Sequence, residues 1–302
     1  MFSSVDAITE ALGRHHYVAD PSLATILYLS QVLQKPLFLE GAPGVGKTEL
    51  AVVVARALDT EFIRLQCYEG LDASMALYEW NYPRQILEIK LQEVCGDRER
   101  LTRTIFGEEF LIKRPLLQAI QHPGPRPAVL LIDELDRADE EFEAFLLELL
   151  ADYQITIPEL CTVRAVVKPI VVVTSNRTRD VHDALKRRCL YHWIDYPDFE
   201  KEYAIVRSRL PRVEGELAGQ VCRFMERIRT EEFLKKPGVA ETLDWAAALL
   251  ALNRHALDAQ VVEDTLGCIF KNQQDIQVFR GEIWGDEARR EAYLRDVKEQ
   301  VC

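Results

Sequence analysis

Apolar positions along the chain follow two rhythms, and the change between them divides it. Up to about residue 200, short unbroken apolar runs at 37–40, 62–65, 129–132, 170–174 and 191–194 alternate with helical stretches such as 48–58 and 140–151. A strand buried on both faces reads as a continuous apolar run. Strands alternating with helices predict an α/β domain, a parallel sheet covered on both faces. Two stretches interrupt the alternation. Residues 71–107 read mostly helical, with Asp72 placed as a cap and 86–94 amphipathic. Residues 153–158 and 162–168 alternate about 159–161, which predicts a β-hairpin. The three prolines and one glycine of 122–127 mark a turn. Beyond Pro197 the strand-like runs vanish. Residues 199–210, 216–229, 240–252 and 258–272 carry helical periodicity, and the end reads as helical from 286. The expected division is an α/β domain at 1–200 and a smaller all-helical domain at 201–302.

Composition narrows this picture. The 302 residues are 48% hydrophobic and 28% charged, enough apolar surface to offset chain entropy, so disorder as the dominant state is excluded. The 37 basic against 49 acidic residues give a net charge of −12. That field opposes nucleic-acid binding by counterion release and bulk attraction to anionic membranes. Seven cysteines, odd in number, widely spaced and without C-x-x-C, predict reduced thiols rather than disulfides or zinc. The first residues carry Asp6 and Glu10 and lack a signal-peptide core. No apolar stretch approaches the roughly 18 residues of a membrane span. The expectation is a cytoplasmic protein.

Candidate chemistry begins with Gly41-Ala42-Pro43-Gly44-Val45-Gly46-Lys47-Thr48, followed by Glu49. It matches G-x-x-x-x-G-K-[ST] and lies between an apolar strand and a helical run, the context the motif requires. Glycines let backbone N–H groups converge on phosphates without Cβ clashes, and the helix N-terminus adds a positive dipole end. Lys47 is expected to reach the β- and γ-phosphates and the Thr48 hydroxyl to bind Mg²⁺. Downstream, Val129-Leu130-Leu131-Ile132 ends in Asp133 and Glu134. Carboxylates at the C-terminal end of a parallel strand sit where α/β sheets bind ligands. Asp133 suits Mg²⁺, and Glu134 suits activation of a water; the plainer reading is a cap for the next helix. Asn176 follows another apolar strand, where its amide can hold the lytic water or serve turn chemistry. Lys186-Arg187-Arg188 closes a short helical run, either as solvated charges favoured by the helix dipole or as an arginine finger. Tyr68, Tyr78, Trp80 and Tyr82 cluster in the helical insert, as core packing or as a grip on a partner.

Together these segments resemble the AAA+ ATPases, and among them the MoxR branch, over nearly the whole chain from Tyr17-Val18-Ala19-Asp20 onward. A closer similarity, to the CoxD-like ATPases that accompany maturation of molybdenum carbon monoxide dehydrogenase, is carried by four stretches. They are Gly70-Leu71-Asp72-Ala73-Ser74 through Ala76-Leu77-Tyr78-Glu79-Trp80-Asn81-Tyr82, Lys113-Arg114-Pro115-Leu116-Leu117, Thr174-Ser175-Asn176-Arg177-Thr178-Arg179-Asp180, and the segment from Ala184 to Trp193.

The resemblance implies a P-loop NTPase core whose five-stranded parallel sheet has the order 5-1-4-3-2. It also implies a helix-2 insert after Leu71, a hairpin before sensor 1 at 153–168, and a helical lid. It makes Gly41, Ala42, Pro43, Gly44, Val45, Gly46, Lys47, Thr48 and Glu49 the ATP-phosphate set, Thr48 and Asp133 the Mg²⁺ residues, Glu134 the catalytic base and Asn176 sensor 1. Arg188, with Arg187 as near alternative, takes the finger position, and Val18 lines the adenine pocket. A homo-oligomeric ring, commonly a hexamer, a partner with a von Willebrand factor A domain and a client metalloenzyme are implied too. One departure stands out. The stretch Gly238-Val239-Ala240-Glu241-Thr242-Leu243-Asp244-Trp245, where relatives place a sensor 2 arginine, holds no basic residue; Arg254 is a candidate substitute. Two rival readings are an ATP-gated recruitment module with negligible turnover and, against the −12 charge, a nucleic-acid motor.

Overall fold

The computed structural model describes residues 1–93, 106–157 and 161–299. Cys95, Cys302, the last residue of the amphipathic run at 86–94 and the hairpin tip at Glu159 lie outside the described residues. Contacts group the chain into two units. One comprises Met1–Ala11, Ala19–Glu40 and Thr48–Trp193; the other comprises Leu12–Val18, Gly41–Lys47 and Ile194–Cys302.

In chain order the strands are β1 (Leu37–Gly41), β2 (Phe62–Gln66), β3 (Tyr78–Trp80), β4 (Leu111–Lys113), β5 (Val129–Asp133), β6 (Gln154–Thr156), β7 (Thr162–Arg164), β8 (Ile170–Ser175) and β9 (Leu190–Ile194). The helices of the first part are α1 (Val5–Arg14), α2 (Pro21–Leu33), α3 (Lys47–Leu58), α4 (Ala73–Leu77), α5 (Tyr82–Glu93), α6 (Pro115–Ile120), α7 (Glu140–Asp152) and α8 (Asp183–Lys186).

The expected five-stranded parallel sheet is present, with neighbours in the order β2-β5-β8-β1-β9. It differs in detail from a chain of five strands alone, because β3–β4 and β6–β7 form separate two-stranded sheets and displace the numbering. Numbered among themselves, its strands read 2-3-4-1-5. The central strands β1, β5 and β8 are buried throughout, whereas edge strand β2 alternates and leaves Arg64 exposed. The register sets Gln66 beside Asp133, Ile132 beside Val173, and Glu40 beside Ser175. The polar residues that end these strands thus share the C-terminal edge of the sheet, and Phe38, Leu130, Ile132, Val171 and Val173 fill the core beneath.

The hairpin at 153–168 is observed as β6 and β7, antiparallel with Gln154 opposite Arg164. Asp72 caps α4 by accepting the Met75 N–H at 2.9 Å. Residues 94–105 of the stretch read as mostly helical, 71–107, lie outside the described residues, and the described part needs one correction. Tyr78–Trp80 is a strand paired with Leu111–Lys113, because Trp80 buries its ring against Phe106 rather than continuing a helix.

The second unit is helical: α9 (Phe199–Arg209), α10 (Gly215–Thr230), α11 (Val239–Ala251), α12 (Ala259–Ile269), α13 (Gln273–Val278) and α14 (Glu287–Glu299). Phe224 sits at its centre, with the rings of Trp245, Tyr293 and Trp284 at 4.9, 5.2 and 6.0 Å. The helix expected at 258–272 is observed but stops short, and α13 begins beyond it. α12 ends at Ile269, Phe270 turns extended into the aromatic core, and the Asn272 side chain caps α13. A π-helical turn, Phe279–Trp284, follows and stacks Phe279 on Trp284.

Candidate nucleotide site

The carboxylate cluster lies in the first unit, at the C-terminal ends of β2, β5 and β8. Asp133 is 2% exposed. A carboxylate so buried requires partners on both oxygens. Its Oδ1 accepts from the Thr48 hydroxyl at 3.0 Å and the Thr174 hydroxyl at 2.6 Å. Its Oδ2 accepts from Arg64 Nε at 3.0 Å and Nη2 at 2.6 Å.

Glu134 follows in the left-handed region, at φ 56°. A non-glycine residue there is strained by about 1–3 kcal/mol and persists only where its surroundings over-determine it. Here they do. Its N–H donates to Thr174 Oγ1 at 2.9 Å, and its carboxylate accepts from Asn176 Nδ2 at 3.2 Å, Gln66 Nε2 at 3.0 Å and Arg137 Nε at 3.1 Å. The capping alternative for Asp133 and Glu134 is not what forms: Asp139 caps α7 by accepting from the Phe142 N–H.

Asp136 fixes the loop after β8. Its carboxylate accepts the Asn176 and Thr178 N–H groups at 3.1 and 2.9 Å and the Thr178 hydroxyl at 2.6 Å. Burial pushes the Asp136 carboxyl upward, but the Thr178 and Asn176 hydrogen bonds outweigh it and hold it below its ordinary value. Burial, and then the charges of Asp133, Asp136, Glu134 and Glu143, push the adjacent Cys67 thiol up to about 12.

The glycine loop joins β1 to α3 and packs within the second unit. Gly44 and Gly46 have φ of +76° and +95°, which only glycine adopts without strain. Lys47 is buried and donates from Nζ to the Gly41 and Ala42 carbonyls at 2.7 and 2.8 Å. Tyr17 OH donates to the Gly46 carbonyl at 3.4 Å, and Val18 beside it is half-buried. The start of α11 lies on the same loop. The Ala240 N–H donates to the Gly44 carbonyl at 3.3 Å, and a Cβ on Gly238 would stand 2.7 Å from the Pro43 carbonyl oxygen. Arg254 lies beyond the opposite end of that helix, 4.0 Å from Asp258, and so is not placed where a sensor 2 arginine would be.

The structure brings Thr48, Asp133, Glu134 and Asn176 into one hydrogen-bonded network. Glu49 is half-buried in the first turn of α3. Arg187 and Arg188 are not in that network. Both are exposed at the end of α8, with Arg188 Nη1 donating to the Leu147 carbonyl at 3.1 Å. The neighbouring Lys186 turns inward instead, 3.6 Å from the buried Glu40. Tyr191 donates to the same Glu40 at 2.8 Å, and burial together with that carboxylate pushes the Tyr191 hydroxyl up to about 12.

Sequence reasoning missed Arg64, Gln66, Thr174, Asp136 and Glu40. One signal was present for two of them: Arg64 and Gln66 are alternate polar residues in an otherwise apolar strand, hence on one face.

Each unit's residues fit one part of a nucleotide with its divalent cation: the loop fits phosphate, and the first unit's cluster fits the cation. The left-handed glycines open the loop N–H groups to phosphate, and Thr48 with Asp133 supplies the hard oxygen ligands Mg²⁺ takes. The glycine loop and the strand-end Asp-Glu pair define a P-loop nucleoside triphosphatase core. Residues 36–189 match the AAA domain family of the dynein-related subfamily, and the chain belongs to that family. The wider class is one of ATPases that use ATP with Mg²⁺ and are typically oligomeric.

The Lon protease of Fervidobacterium nodosum is 27% identical over 259 residues, covering 77% of this chain and 28% of that protein. The Lon protease of Halothermothrix orenii is 28% identical over 234 residues, covering 70% and 26%. The chain thus spans about a quarter of the length of these curated relatives. Among solved structures, the RuvB Holliday junction branch migration motor of Thermotoga maritima shares 15% identity over 92% of this chain and 78% of that one, with a TM-score of 0.45. Among the described residues no helix is long and apolar enough to cross a membrane.

Proposed function

We propose that this protein is a ring-forming, Mg²⁺-dependent ATPase of the MoxR branch that remodels a client metalloenzyme during its maturation. The observation that carries the ATPase mechanism is Glu134, held in a strained backbone at a strand end with its carboxylate anchored by Asn176 and Gln66. In this reading Glu134 accepts the proton of the attacking water and Asn176 fixes the carboxylate's direction. Lys47 leaves its loop carbonyls for the phosphate oxygens of the substrate, which the loop N–H groups cradle. Mg²⁺, when held by Thr48 and Asp133, supplies neutralisation of the phosphate charge.

Arg188, or Arg187 beside it, serves a neighbouring subunit as a finger. Both are exposed and outside the network of their own chain, as a residue acting in trans has to be. The remaining parts rest on the resemblance of the insert and of the segment from Ala184 to Trp193. They are a division at residue 200 into core and lid, Val18 at the adenine, a hexameric ring in the cytoplasm, a von Willebrand factor A partner, and a molybdenum hydroxylase such as carbon monoxide dehydrogenase as client.

The test is Mg²⁺-ATP turnover per subunit against protein concentration, with Lys47→Ala as blank. A rise with concentration, abolished by Glu134→Gln, is expected. Turnover unchanged by Glu134→Gln would remove the assigned base. A second reading, an ATP-gated recruitment module with negligible turnover, is favoured by the start of α11, which meets the phosphate loop with no basic residue. Tight ATP binding without hydrolysis, with the partner present, decides for it.

A further inference from the structure

Arg64 brings a cationic side chain to Asp133, and nothing in the proposed chemistry uses it. It lies on edge strand β2 with its side chain 48% exposed, whereas the Asp133 side chain is 3% exposed. Two guanidinium nitrogens, Nε and Nη2, converge on the single oxygen Oδ2. The other oxygen, Oδ1, takes the hydroxyls of Thr48 and Thr174. All four donors therefore address a carboxylate that carries one negative charge, and one donor group is itself cationic.

We propose that Arg64 is a resident counter-ion for the metal-side carboxylate, and that it sets how strongly Mg²⁺ is coupled to nucleotide binding. This rests on the nucleotide-site reading above. A buried carboxylate left without a partner is costly, so an unloaded site needs a cation. A divalent ion taken up by Thr48 and Asp133 brings a second positive charge to the same group. Arg64 is half in solvent and anchored from an edge strand, so it can withdraw without disturbing the core. Its charge opposes the metal, and Mg²⁺ binds more weakly than the oxygen ligands alone would allow. The opposed charges are partly screened, which brings the expected effect to about three- to tenfold in affinity.

The readout is the ratio of two dissociation constants for a fluorescent ATP analogue on the full chain, one in EDTA and one in saturating Mg²⁺. By linkage that ratio measures the coupling between metal and nucleotide on the protein. Arg64→Gln and Arg64→Met remove the charge, the second keeping an unbranched stem on the strand; Arg64→Lys keeps the charge. Melting temperatures establish that each variant folds. The neutral variants are expected to raise the ratio about three- to tenfold, with Arg64→Lys within about twofold of the wild type. A role confined to packing shifts both constants together and leaves the ratio fixed, which overturns the proposal. A fall in the ratio overturns it as well, since Arg64 would then assist the metal. Absence of analogue binding by the wild type instead removes the nucleotide-site reading itself.

Discussion

At the scale of single residues, the site is a set of carboxylates whose partners differ and whose behaviour differs accordingly. Asp133 is met by two hydroxyls and a guanidinium, Glu134 by amides and Arg137, Asp136 by backbone N–H groups and a hydroxyl. Asp136 gives a pH prediction. Its carboxyl is held below its ordinary value, burial being outweighed by Thr178 and Asn176. The folded state therefore favours the ionised form. The stability it contributes is fully present above the unfolded value, near pH 4, and is lost as pH falls through the lower folded value. Asp136→Asn is expected to lower the melting temperature at pH 7, and the gap from wild type is expected to close on acidification below about pH 4. A gap that stayed constant to pH 2 would mean the loss is one of packing. Asp133, Glu134 and Asn176 were legible in the sequence, because each ends an apolar run. Asp136 was not, since its role depends on meeting the N–H groups of Asn176 and Thr178 some 40 residues away.

At the scale of elements, strand identity followed from apolar runs, and the structure extended most of them by a single residue at the polar end. The misreadings fall where tertiary packing overrode local pattern. Trp80 draws Tyr78–Trp80 into a strand, and Phe270 breaks the run after α12. The same competition appears in a buried ion pair. Arg229 Nη1 and Nη2 donate to the two Glu202 oxygens at 2.7 Å each, Nε donates to the Pro237 carbonyl at 2.7 Å, and Thr242 joins both. This fork holds the turn before α11, which carries Gly238 onto the phosphate loop. Breaking one side strands a buried charge. Arg229→Met is expected to cost about 3–5 kcal/mol by denaturant titration, and Arg229→Met with Glu202→Leu to recover much of it. If the double variant were no more stable than the single, the cost would lie in the lost support of Pro237 rather than in the charge.

At the scale of the whole molecule, the arginines at the end of α8 are exposed and, among the described residues, lie outside the network of Thr48, Asp133, Glu134 and Asn176. If the finger acts in trans, Arg188→Ala and Glu134→Gln subunits are each inactive alone, yet complement when mixed. In an equal random mixture about a quarter of neighbouring pairs carry both intact groups, so turnover near a quarter of wild type is expected. No recovery on mixing, with ring assembly shown by scattering, would place Arg188 outside the reaction or restrict it to its own subunit.

The sequence by itself determined the class of fold, the glycine loop and the strand-end carboxylates. Each is a local pattern: an apolar run, a glycine spacing, a polar residue ending a strand. Only the tertiary structure decided which side chains those carboxylates meet. Parallel pairing sets β2 against β5 so that Gln66 lies beside Asp133, and the side chain of Arg64, two residues earlier on the same face, reaches the Asp133 carboxylate. The pairing of Arg64 with Asp133, of Gln66 with Glu134 and of Asn176 with Asp136 joins residues separated by 40 to 69 positions. Such contacts leave no periodic trace in the chain, because they are fixed by register between strands and not by spacing within one.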